Sequence, residues 1–71
     1  MELIFEVREA DEGGYLARAL GPAIFTEAET WQDLRSNVLD AAILHFEDAA
    51  EKPKFIRLHF IKDELIAIEA A

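Results

Sequence analysis

Leu3-Ile4-Phe5-Glu6-Val7-Arg8, then Asp11-Glu12-Gly13-Gly14, then Tyr15-Leu16-Ala17-Arg18-Ala19-Leu20: these three pieces decide the fold. In the first, Leu3, Phe5 and Val7 alternate with Ile4, Glu6 and Arg8, which is the period-two pattern of a half-buried strand. Two adjacent glycines supply the positive φ angles that a tight reversal needs, so Asp11 to Gly14 reads as a hairpin turn into a second strand, Tyr15 to about Leu20. That strand has Tyr15, Ala17 and Ala19 on one side and Leu16, Arg18 and Leu20 on the other. Gly21-Pro22 breaks the ladder, because proline has no N–H to donate. A short third strand over Ala23 to Thr26 is expected to complete a meander.

Downstream the period changes. Thr30 precedes Trp31-Gln32-Asp33, and a threonine hydroxyl at the N-cap with an acidic group in the first turn is a helix start signal. The helix is expected from Trp31 to about Ala50. At about 100° per residue, Trp31, Leu34, Val38, Ala41, Ala42, His45 and Ala49 share one stripe, with Ser36, Asp40 and Glu47 opposite. Lys52-Pro53 stops the helix, since the residue before a proline is pushed out of the α region. Phe55 to Ile61 alternates again, with Ile56, Leu58 and Phe60 on one side and Phe55, Arg57 and His59 on the other. Lys62-Asp63-Glu64 reads as a turn, after which Leu65 to Ile68 forms an optional fifth strand. The expected order, β-β-β-α-β with that optional last strand, predicts a two-layer α+β domain: a mostly antiparallel sheet with one long helix on one face.

Seventy-one residues leave room for one core, so positions 1–71 are read as a single domain. An apolar fraction of 52% is too high for a disordered chain, and the absence of cysteine rules out disulfides and thiolate metal sites. A core this small leaves self-association as an expectation. The first residues lack the basic start and long apolar run of a signal peptide, and the longest uncharged apolar run, Ala41 to Ile43-Leu44, is far short of a bilayer span. A cytoplasmic protein without membrane association is therefore the default.

Fifteen acidic against seven basic residues give a net charge of −8. Such a surface repels phosphates, which disfavours direct nucleic-acid binding. It would favour a basic protein partner, or simply keep a small protein in solution. Catalytic constellations are hard to find. His45 and His59 lie at no recognised ligand spacing, and a lone histidine on an apolar stripe is more often a packed residue than a metal ligand. Glu6 with Asp40 or Glu47 does not promise the convergence that a two-metal nuclease needs. Ser36, the only serine, has no histidine at a local spacing. Gly13-Gly14 joins two strands and is no phosphate loop. No enzyme, metal or cofactor is expected. Ile4, Leu16, Leu20, Phe55 and the run Leu65 to Ile68 are more apolar surface than one helix can cover. Leu65, Ile66 and Ile68 are therefore the candidates for a homodimer contact.

The order strand, Gly-Gly-Tyr, strand, Gly-Pro, strand, capped helix resembles the N-terminal domain of HicB-like antitoxins. The resemblance rests on Asp11, Gly13, Gly14, Tyr15, Ala17, Ala19, Gly21, Phe25, Thr30, Leu34, Asp40 and Ala41, and spans about residues 3–46. It implies a partial ribonuclease-H-like fold without nuclease activity, which neutralises a small basic toxin ribonuclease of the HicA type by covering its active site. The contact residues expected on that basis are Asp11, Glu12, Glu27 and Glu29. Two features depart from the family pattern. The helix is introduced by Glu27-Ala28-Glu29-Thr30 in place of Gly-Thr or Gly-Asp-Thr, and the usual Pro-x-x-x-Gly-Cys segment is shortened to Gly21-Pro22-Ala23. A short form without the DNA-binding module that many members append is expected, so operator binding is not. The alternative is an orphan homo-oligomeric structural or small-ligand-binding protein with no toxin.

Overall fold

The computed structural model describes residues 2–69. Its elements are β1 (Glu2–Glu9), β2 (Tyr15–Ala19), β3 (Phe25–Ala28), α1 (Trp31–His45) and β4 (Phe55–Ile61). The order is the expected β-β-β-α-β, and the architecture is a two-layer α+β arrangement of one sheet and one helix. The strands lie in the order β3-β2-β1-β4. β1 pairs antiparallel with β2, and β2 with β3. β1 and β4 run parallel, so the sheet is mixed, with two of its three pairings antiparallel. The meander leaves β3 parallel to β1, and α1 carries the chain from one edge of the sheet to the other, where β4 joins in the same direction.

The β1–β2 hairpin closes as Gly13 and Gly14 predict, with φ of 98° and 82°. The Ala10 N–H donates to the Gly14 carbonyl at 3.0 Å, and the Gly13 N–H to the Ala10 carbonyl at 3.1 Å. The second reversal uses Gly21 at φ 101° and takes more chain than expected. Ile24 donates to the Pro22 carbonyl, while its own carbonyl accepts from the Ala19 N–H. β3 therefore starts at Phe25, two residues later than the expected Ala23, and runs to Ala28.

Thr30 caps α1 as expected, its Oγ1 accepting from the Asp33 N–H at 3.1 Å. The helix ends at His45, not near Ala50. Phe46 leaves the helical region at φ −101°, ψ 14° and packs half-buried against the core, and the chain then turns toward β4. His45 closes the last turn as an exposed residue, edge-on to the Phe46 ring, and so is not a packed core histidine. Leu65 to Ile68 forms no fifth strand; residues 62–69 have no regular structure. No helix among the described residues is long and apolar enough to cross a membrane.

The core consists of Leu3, Phe5 and Val7 of β1, Ala17 and Ala19 of β2, Ile24, and Leu34, Val38 and Ala42 of α1. Register explains the choice of face. Val7 stands opposite Ala17 and Phe5 opposite Ala19, so the bulk of β1 is set beside the small residues of β2. The helix lies over β2 and β3, where the alanines let it approach. Fully burying a side chain such as Leu34 contributes about 1.5–3 kcal/mol. Ile56, Leu58 and Phe60 share this face through their pairing with Leu3, Phe5 and Val7, but they lie beyond the helix's main contacts and are only partly covered.

Candidate functional site

Hairpin geometry gathers the carboxylates expected to meet a partner. Asp11 and Glu12 sit on the turn that leads into β2, and antiparallel pairing places Leu16 of β2 opposite Glu27 and Tyr15 opposite Ala28. The end of β3 is thus carried to the same corner as the turn. Asp11, Glu12, Glu27 and Glu29 line one open depression of about 800 Å³, together with Tyr15 and Leu16 and with no basic side chain. Two contacts hold the corner in shape. The Asn37 side-chain amide donates to the Glu27 carbonyl at 3.1 Å, which ties the end of β3 to α1. Gly14 lies so close to β3 that a Cβ there would stand 2.7 Å from the Ala28 carbonyl oxygen. The Asn37 contact was not legible in the sequence, where Asn37 falls on no apolar stripe and matches no capping position.

An aromatic clasp lies beside this corner. Tyr15 of β2, Trp31 of α1 and Phe60 of β4 meet edge to face, with centroids 5.4, 5.8 and 6.1 Å apart. Such contacts add about 0.5–1.5 kcal/mol each beyond area burial. They join the first turn of the helix to the end of β4.

Toward the other end of α1 the helix and β4 part. Between them runs an apolar furrow of about 450 Å³ lined by Leu39, Ala42, Ile43, Phe46, Phe55 and Ile56, with Lys52, Lys54 and Glu47 also on its walls. It continues past Val38 toward Leu58 and Arg35. This furrow was missed by sequence reasoning, because it depends on where the helix sits across the sheet.

The opposite face of the sheet is mixed. Ile4 and Leu16 are half-buried, and Leu20 and Phe25 are exposed. Ion pairs lie among them, Arg18 with Glu6 at 3.4 Å and Arg57 with Glu2. The latter is a two-point contact, with Nε donating to Oε1 at 2.6 Å and Nη2 to Oε2 at 3.1 Å. His59 lies on this face at the level of Glu6. Leu65, Ile66 and Ile68, expected to mediate self-association, follow β4, which ends at the same end of the sheet as the hairpin turn, and none of them lines the acidic depression. They are 100%, 74% and 98% exposed. Among the described residues no three of His, Asp and Glu are gathered so as to hold a metal ion.

A mixed four-stranded sheet backed by one capped helix makes this a two-layer α+β protein. The chain belongs to the UPF0150 family. It is 36% identical to a UPF0150 protein of Thermotoga maritima over 67 residues, which is 94% of this chain and 93% of the relative. It is 50% identical to a UPF0150 protein of Archaeoglobus fulgidus over 52 residues, or 73% of this chain and 76% of the relative. No family model matches the chain. No solved structure matches it.

Proposed function

We propose that this chain is a non-catalytic protein-binding module of the HicB antitoxin kind, which neutralises a small basic toxin ribonuclease by occupying its RNA-binding surface. The observation that carries this reading is the acidic corner: four carboxylates around one depression with no cation on its walls. A ribonuclease must present positive charge to the phosphates of its substrate, and a partner with a matching acidic surface gains both encounter rate and register from that charge. The net charge of −8 acts in the same direction, and membership of the UPF0150 family is compatible with it.

The test is co-purification with a small basic protein encoded beside this chain. With such a partner in hand, combined Asp11→Lys and Glu27→Lys changes weaken the complex by about tenfold or more at low salt, with the difference shrinking as ionic strength rises. Binding indifferent to both changes, or degradation of RNA by this chain alone with magnesium or manganese, overturns the reading. A second reading, a homo-oligomer without a toxin, is favoured by the three exposed aliphatic side chains after β4.

A further inference from the structure

We infer that residues 62–69 of one copy pack into the furrow between α1 and β4 of a second copy, the two copies meeting through antiparallel β4 edges. This sharpens the self-associating reading above and does not depend on a toxin.

The segment is built as an arm. The molecule measures 60 × 21 × 17 Å, although a strand of eight residues spans only about 27 Å. Its radius of gyration is 15.1 Å, where a compact domain of this length has about 11 Å. Residues 62–69 have no regular structure and leave Leu65, Ile66 and Ile68 in solvent. Two exposed ion pairs lie at the point of departure. Asp63 accepts from Arg8 at 3.0 Å and Lys62 lies 3.4 Å from Glu9, so the chain continues past the end of β1.

The arm's own furrow lies at the wrong end. The wider part of the furrow opens beside Phe55 and Ile56, where β4 begins, and its continuation reaches Leu58, whereas the arm departs from Ile61, about 10 Å past Leu58 and about 20 Å past Phe55 along the strand. Folding back would require a reversal after Ile61, whereas residues 62–64 make no turn and run on past β1.

A second copy removes the difficulty. β4 is an edge strand whose outer side has no strand partner among the described residues, and such edges invite pairing. When two β4 strands pair antiparallel about a two-fold axis, the end of each lies beside the start of the other. The arm of each copy then runs along Lys52 to Ile56 of its neighbour. Apolar side chains meet an apolar furrow on that path. Charge is complementary as well: beyond the Asp63–Arg8 pair the arm carries Glu64 and Glu69, while Lys52 and Lys54 flank the furrow with Glu47 as its one carboxylate. The contact occurs twice by symmetry, so the furrow of each copy is completed by the other.

The natural chain has no cysteine, which makes cross-linking clean. An Ile43→Cys chain mixed with an Ile68→Cys chain and oxidised should yield mainly the mixed disulfide, and sedimentation at micromolar concentration should show a dimer for the natural chain. Changing Leu65, Ile66 and Ile68 together to Ser should raise the dissociation constant by at least about tenfold. It should leave the circular dichroism of the monomer unchanged, because these side chains are exposed within their own chain. A strict monomer overturns both the exchange and the self-associating reading. A dimer untouched by the triple change, or lacking the mixed disulfide, overturns the exchange alone and leaves self-association through another face.

Discussion

Gly14 combines two demands on one residue. Its φ of 82° lies where an L side chain is strained, and a Cβ would meet the Ala28 carbonyl oxygen at 2.7 Å. Gly13, at φ 98°, has nothing within 4 Å of the same position. Gly14→Ala should therefore cost about 2–3 kcal/mol, from strain and from displacement of β3, whereas Gly13→Ala should cost about 1 kcal/mol from strain alone. Urea unfolding of the two variants checks this, and equal losses would show that the approach to β3 carries no weight. The sequence announced both glycines as a turn. It could not show that only one of them is pressed against a third strand, because that contact joins residues 14 apart through a pairing not yet known. The acidic corner was legible in the same partial way. Asp11, Glu12, Glu27 and Glu29 could be named as candidates from their family resemblance, but their convergence on one depression depends on the β2–β3 register.

Between elements, the pairing of β1 with β4 is marked by Glu2 and Arg57. The hydrogen bonds from Arg57 hold the Glu2 carboxyl below its ordinary value, with desolvation opposing them, and the guanidinium is raised in return. A lowered carboxyl stabilises the fold at pH values above the ordinary glutamate range, and that contribution disappears as pH falls through the lowered folded value. Glu2→Gln should therefore flatten the loss of stability below about pH 4.3, with only a small change at neutral pH because the pair is exposed. Urea titrations from pH 3 to 7 measure it, and an unchanged acid limb would show that the pair does not couple to folding. The elements themselves were readable from local chemistry: alternation for β1, β2 and β4, and a threonine cap for α1. Their limits were less so. α1 stops at His45 because Phe46 packs against the core, and β3 begins at Phe25 because Ile24 is used to bond Ala19 and Pro22 across the reversal.

For the whole molecule, a domain this small gains little from its own core, and an apolar arm held away from that core leaves part of its stabilisation to association. If arms are exchanged, folding and association are linked, and the melting temperature should rise with protein concentration. Calorimetry across a hundredfold concentration range tests this, and in the Leu65, Ile66 and Ile68 triple Ser variant the rise should begin at higher protein concentration. By itself the sequence determined the two-layer α+β class, the β-β-β-α-β order, the hairpin turn, the helix start and the acidity, because each follows from a local pattern of side chains or from composition. Tertiary structure alone decided that β4 joins β1 in parallel, that the helix covers β2 and β3 rather than the whole face, and that Leu65 to Ile68 stays out of the sheet. Those outcomes are set by competition among long-range contacts: the alanines of β2 draw the helix to one side, and the space it leaves beside β4 becomes a furrow.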